Sequence, residues 1–281
     1  MNRTEVLAKF RAKIDSGKPV IGSGAGIGLS AKCAEAAGID FLVVYNSGRF
    51  RMAGRSSMAG LMPYGDANAI VMEMSGEILP VVDNTPVIAG VCGTDPFRVM
   101  GPFLRQVRDV GFCGVQNFPT VCLFDGVVRA HLEETGLGFE READMVRQAR
   151  ALDLLTVTYV ANEDEVRLMA DAGADVLVLH LGLTTSGMIG AKTALAIDEA
   201  IGRLARLRKV AVEARPDIIV LCHGGPLAGP EEVRPVLSAL PGLHGFLGAS
   251  SMERLPTEVA MVSHMREFLD IPLADERGQK E

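Results

Sequence analysis

A single (β/α)8 barrel, an α/β fold, is what the sequence predicts, and three observations carry the expectation. Residues 19–48 run from a short apolar segment through small residues and a helical stretch into a second apolar segment. That spacing is a βαβ unit with parallel strands. The pattern then recurs until eight strand-like runs have passed, several of them nearly unbroken in Val, Ile and Leu, as strands buried on both faces are. Finally, 281 residues suit a closed barrel, which needs about 250 for its eight units. A doubly wound open sheet is the competing arrangement of the same elements.

The elements follow in order. Leu7, Phe10 and Ile14 share one face of an N-terminal helix ending at Gly17. Val20 and Ile21 form the first strand and lead into glycine-rich residues 22–26. A helix over 30–37 follows, closed by Gly38 in the left-handed conformation that helix ends favour. The second strand covers 41–45 and the third 86–91, with helical sequence over 97–110 ended by Gly111. Strand four covers 114–117 and strand five 154–160. Asn162 and Glu165 then have the spacing of a capping box, and Val166, Met169 and Ala170 give that helix a buried face. Strands six, seven and eight cover 176–180, 218–222 and 245–248, with a helix over 197–214 between six and seven. A final helix carries Val259, Val262, Met265 and Leu269. The barrel domain is assigned residues 1–273, and 274–281 a charged tail.

Three connections are long, those after strands two, four and six. Residues 46–66 contain Arg49, Arg51 and Arg55; residues 118–138 include a short helix with Arg129 and His131; residues 181–193 are rich in Gly, Thr and Ser. All three follow strands, on the face where barrel sites sit, as lids or subunit contacts. Met52, Met58, Leu61 and Met62 in the first, with Val121, Leu123 and Phe124 in the second, predict a homo-oligomer that covers them.

Composition narrows the function. A formal charge of −7 argues against a nucleic-acid or anionic-membrane partner, and no apolar run approaches the ~18 residues of a span. The N-terminus has no apolar signal segment. Five cysteines without CxxC spacing suit a reducing cytoplasm. Gly22, Gly24, Gly26 and Gly28 lack the GxGxxG spacing of a dinucleotide loop, so no nicotinamide cofactor is expected.

The motifs GSGAGIGLSAKCAEAAGIDF, VYNSGRFRM, VCGTDP, QNFPTV, HGGP and GASSMERLP fall between residues 20 and 256. On these the chain resembles the phosphoenolpyruvate hydrolase-like TIM-barrel family, also met as the C-terminal half of plant antiviral resistance proteins. More loosely it is similar to the phosphoenolpyruvate mutase and isocitrate lyase superfamily, which includes phosphonopyruvate hydrolases. The resemblance implies a hydrolase or lyase acting on a small phosphoenolpyruvate-like, phosphonopyruvate-like or 2-oxo acid. It also implies Mg2+ held by acidic residues after strands three and four. Here strand three is followed by Asp95, but strand four ends in Asn117; one carboxylate with waters and substrate can still hold the ion.

Candidate site residues cluster after the strands. Asp95 is the metal ligand or acid/base group, or else a turn carboxylate before Pro96. His180 and His223 end strands and suit proton transfer near neutral pH; Asn117 suits orienting a substrate oxygen. Gly224, Gly225, Ser250 and Ser251 fit the phosphate site that barrels build after strands seven and eight. Arg49 is the clamp for a carboxylate or phosphate, and Ser23, Asn46 and Ser47 are further binding candidates. A barrel that binds a ligand or partner without turnover is the alternative.

Overall fold

The computed structural model describes residues 1–273; the charged tail lies outside them. Eight parallel strands close in sequence order: β1 (Val20–Gly24), β2 (Phe41–Val44), β3 (Val87–Val91), β4 (Gly114–Asn117), β5 (Leu155–Val160), β6 (Val176–His180), β7 (Ile219–His223) and β8 (Gly245–Gly248). The seam that makes this a barrel rather than an open sheet is β1 against β8, in register from Val20 opposite Gly245 to Ser23 opposite Gly248.

The helical layer surrounds it. Helix α1 (Arg3–Asp15) precedes the barrel and packs Phe10 against Phe41 at the start of β2, ring centroids 5.5 Å apart. Helix α2 (Gly28–Ala36) follows β1. Two helices, α3 (Asn46–Met52) and α4 (Ala67–Ile78), follow β2, and α5 (Met100–Val110) follows β3. After β4 come α6 (Gly126–Glu134) and α7 (Phe139–Ala151), then α8 (Glu163–Asp171), α9 (Ile197–Ala214), α10 (Pro230–Ala239) and α11 (Arg254–Leu269) behind β5 to β8.

Four local results differ from the sequence expectation. First, β1 extends through Gly22 to Gly24, so two of the loop glycines belong to the barrel wall. A Cβ on Gly22 would lie 2.2 Å from the Phe41 ring, and one on Gly24 2.9 Å from the Tyr45 hydroxyl; these positions admit only glycine because large side chains cross the interior there. Second, the segment after β2 enters α3 at once instead of forming an open loop. Third, the Asn162 side chain caps α8 through the Glu165 amide, but the Glu165 carboxylate reaches the amide of Ala161 and the guanidinium of Arg129. Only half of the capping box closes. Fourth, the apolar residues of α11 face outward: Val259 is 70% exposed and Leu269 83%.

The segment after β6 carries no helix before α9; Thr185 and Ala191 form an isolated bridge within it. All five cysteines are free thiols. No helix among the described residues is long and apolar enough to cross a membrane.

Candidate active site

A cavity of about 230 Å3 opens at the carboxyl ends of the strands. Tyr45 follows β2, Tyr159 comes from β5, His180 ends β6 and His223 ends β7; Ser47 and Arg51 come from α3, and Ser250 from the loop after β8. Period-two alternation along the strands sends Tyr159, His180 and His223 inward while their neighbours face the helices. Apolar walls complete it, among them Met58, Leu61, Phe118, Leu123 and Leu183.

The two histidines carry fixed and opposite tautomers. A carbonyl can only accept, so His223 Nδ1, 2.6 Å from the Leu247 carbonyl oxygen, bears the proton. Its Nε2 therefore offers a lone pair, which the Tyr159 hydroxyl approaches at 3.4 Å. A backbone amide can only donate, so His180 Nδ1 accepts from Gly182 N–H at 3.0 Å, and the proton sits on Nε2. Burial pushes His180 well below the usual histidine range, with His223 and Arg203 adding to it; burial likewise pushes His223 down to about 4. Both rings are neutral at pH 7.

Above them lies a buried ion pair. Arg51 donates from Nε at 2.9 Å and from Nη2 at 2.6 Å to one oxygen of Glu253, with both side chains 1% exposed. The other oxygen accepts from Gly26 N at 2.6 Å and from the Ser30 hydroxyl. One carboxylate thus ties the segments after β1, β2 and β8 together. Burial opposes the Arg51 charge, but Glu253 beside it more than compensates and holds its pKa above the usual value. The guanidinium stands 5.7 Å from the Tyr45 ring centroid.

The structure brings His180, His223, Ser47 and Ser250 into this cavity and leaves the other candidates outside it. Asp95 lines a neighbouring surface cleft together with Asn46. Its oxygens accept from Asn68 Nδ2 and Arg98 Nε on one side and from Phe97 N on the other, the role of a turn carboxylate. Asn117 is wholly buried on the helix-facing side of β4. Its Nδ2 donates to Glu142 at 2.7 Å and its Oδ1 accepts from Tyr159 N at 2.7 Å, so the amide clamps backbone and helix. Asn46 gives its amide to the Gly60 carbonyl. Ser23 gives its hydroxyl to the Gly24 carbonyl, on the opposite side of β1 from the cavity.

Arg49 pairs with Glu73 in solvent; the arginine of the cavity is Arg51. A signal for it exists in the sequence, since Ser47 and Arg51 are four apart and share one helix face, but only if 46–52 is read as a helix. Gly224 and Gly225 adopt positive φ, +76° and +58°. The Gly225 amide already donates to the Gly182 carbonyl at 2.9 Å, so these glycines seat the segment after β6 instead of opening toward a ligand. The Ser251 hydroxyl is buried without a partner among the described residues and is not part of the cavity wall. The sequence does not single out Tyr159, because a tyrosine inside an apolar strand reads as core.

A closed barrel of eight parallel strands with its polar cavity at their carboxyl ends is the (β/α)8 architecture. Within that class, residues 5–271 match the family model described as phosphoenolpyruvate hydrolase-like, and the chain belongs to that family. It is 55% identical over 271 residues to the ToMV resistance protein Tm-1(GCR237) of Solanum lycopersicum. The ToMV susceptible protein tm-1(GCR26) of the same plant is also 55% identical. Each match covers 96% of this chain but 36% of the tomato protein, so the chain spans little more than a third of those relatives. Among solved structures, phosphonopyruvate hydrolase in complex with oxalate and Mg2+ superposes with a TM-score of 0.60 at 17% identity, covering 99% of this chain and 94% of that one. At that identity the likeness is one of fold.

The Mg2+ of that complex raises the question whether the residues here fit one. Magnesium takes hard oxygen donors, usually one or two carboxylates with waters and substrate. No carboxylate lines the cavity, and the Asp95 oxygens are already engaged by Arg98, Asn68 and the Phe97 amide. No group of three His, Cys, Asp or Glu among the described residues is placed to hold a metal ion. The mouth does not fit Mg2+, and no step below passes through one.

Proposed function

We propose that the chain is an enzyme, a hydrolase or lyase that moves a proton beside the carbonyl or enol oxygen of a small phosphoenolpyruvate-like, phosphonopyruvate-like or 2-oxo acid. The single observation behind this reading is the pair of opposed tautomers. A neutral His223 Nε2 is a base, and a neutral His180 Nε2–H is a donor, in rings whose centroids are 4.7 Å apart. Proton removal next to a carbonyl needs both, one to take the proton and one to hold the oxygen as its charge grows. Arg51, Ser47 and Ser250 provide the polar side chains that would hold the acid group. The anion seat therefore draws on the segments after β2 and β8 more than on Gly224 and Gly225.

The test is to incubate the purified protein with a panel of 2-oxo acids, phosphoenolpyruvate and phosphonopyruvate and to follow pyruvate or phosphate release. His223→Asn should lower kcat/KM by roughly 10²–10⁴-fold without loss of fold. Turnover unchanged in that variant would refute the assignment.

A second reading is favoured by the 55% identity to a resistance protein: a barrel that binds a ligand or partner without turnover. It would be supported by saturable binding of a panel compound together with no product release.

A further inference from the structure

The charge balance of the cavity limits what it can hold. Among the described residues lining it, Arg51 is the one with a permanent charge. Glu253 neutralises that charge from behind at 2.6 Å, and it cannot swing away because Gly26 N and Ser30 hold its second oxygen. Protonating His180 at Nδ1 would break its bond from the Gly182 amide, and burial beside Tyr159 disfavours a charged His223. With both rings neutral the cavity has no net charge, and Met58, Leu61, Phe118, Leu123 and Leu183 keep its walls apolar. Arg51 Nη1 touches only Ser57, at 3.5 Å, so it is the donor left for a ligand. One carboxylate can bond there. A second negative charge would find hydroxyls but no second cation in this buried site, which is unfavourable, and among the described residues no group of His, Cys, Asp or Glu is placed to recruit a metal that would offset it.

We propose that the cavity binds a small 2-oxo monocarboxylate, carrying one negative charge, and binds it without a metal ion. The carboxylate lies on Arg51 Nη1 with the Ser47 and Ser250 hydroxyls, and the oxo oxygen accepts from His180 Nε2–H, the position a metal would otherwise polarise. The proposal rests on the cavity identified above but not on turnover, since it is read by binding.

The experiment is calorimetry with the full chain, using 2-oxobutyrate, oxalate and phosphoenolpyruvate, each in EDTA and in excess Mg2+. The expected result is that 2-oxobutyrate binds equally in both buffers and at least about tenfold more tightly than the dianion oxalate or phosphoenolpyruvate. Glu253→Gln leaves Arg51 uncompensated, so it should raise dianion affinity relative to 2-oxobutyrate by at least about tenfold. Should that variant fail to fold, the wild-type comparison alone decides. Tighter binding of a dianion, binding that requires Mg2+, or no binding of 2-oxobutyrate at tens of millimolar would each overturn the proposal. Binding of 2-oxobutyrate as expected, with no product released from any compound of the panel above, would leave it standing and overturn the catalytic reading.

Discussion

His180 and His223 sit opposite each other in the β6–β7 register, and their rings meet 4.7 Å apart with Nε2 atoms of opposite character. Neither tautomer depends on a neighbouring side chain. The Leu247 carbonyl fixes one and the Gly182 amide fixes the other, so the closed barrel itself sets the protonation pattern.

This pattern ties stability to pH. His223 titrates near 6.5 when unfolded and near 4 when folded, so the unfolded chain binds the extra proton first. The contribution is full above pH 6.5, falls as pH drops through that window and is lost below about 4. One pKa unit is about 1.4 kcal/mol, so the loss is on the order of 3 kcal/mol. Urea midpoints of wild type and His223→Asn at pH 7, 5.5 and 4 should converge as pH falls; a constant difference would contradict the depressed pKa. Between pH 5 and 8 the rate should show no histidine inflection near 6.5.

The fold was legible because strand periodicity and glycine stops are local signals, and eight βα units admit few closures. The site was legible where a residue ends a strand and faces inward, as His180 and His223 do, or directly follows a strand at the mouth, as Ser47 and Ser250 do. Asn117 also ends a strand, but strand alternation turns its side chain to the helix layer. Asp95 resembled a ligand because Gly-Thr-Asp-Pro suits either a metal or a turn, and its partners Asn68 and Arg98 are distant or ambiguous in sequence. The sequence singles out Arg49 and not Arg51 as the clamp: the partner of Arg51 lies 202 residues away, and no local pattern announces such a pair.

Arg51 and Arg49 should therefore respond very differently to substitution. Arg51→Met strands a buried Glu253 carboxylate and should destabilise by about 3–5 kcal/mol. Arg49→Met breaks a pair with Glu73, itself 65% exposed, and should change stability by no more than about 1 kcal/mol. Combining Arg51→Met with Glu253→Gln should recover part of the first loss. Denaturant melts of the four proteins check this, and equal effects at the two arginines would contradict the burial.

Glu142 makes a separate prediction around Asn117. Its buried carboxyl accepts from Val121 N, Asn117 Nδ2 and Thr120 Oγ, while burial pushes its pKa up to about 8. Because the folded pKa lies above 4.5, its contribution is full below pH 4.5 and is lost as pH rises through about 8. Glutamine is no substitute here, since its amide would face either Val121 N–H or Asn117 Nδ2 donor to donor. Glu142→Gln should destabilise at pH 6 by about 1–3 kcal/mol, while Glu140→Gln on the exposed face of α7 should do nothing measurable. A neutral Glu142→Gln would mean that the three donors do not converge as described.

The last prediction concerns α11. Its first turn is anchored, with Arg254 4% exposed and held by Glu258 and the Ser186 carbonyl. Beyond that turn Val259, Met265, Phe268 and Leu269 stand in solvent at 70%, 55%, 63% and 83% exposure, and Met188 beside the helix is also exposed. Burying a Leu or Phe side chain is worth about 1.5–3 kcal/mol, so an unpartnered helix with this face would be poorly held. The chain should accordingly assemble with copies of itself through this face, and light scattering at micromolar concentration should return a multiple of 29.9 kDa. Phe268→Asp with Leu269→Asp places two charges in that contact without touching the barrel, so it should lower the mass toward one chain while far-UV circular dichroism stays the same. A wild-type mass near 30 kDa would remove the oligomer, and a double variant that keeps the wild-type multiple would move the contact elsewhere, to the segments after β2 and β4.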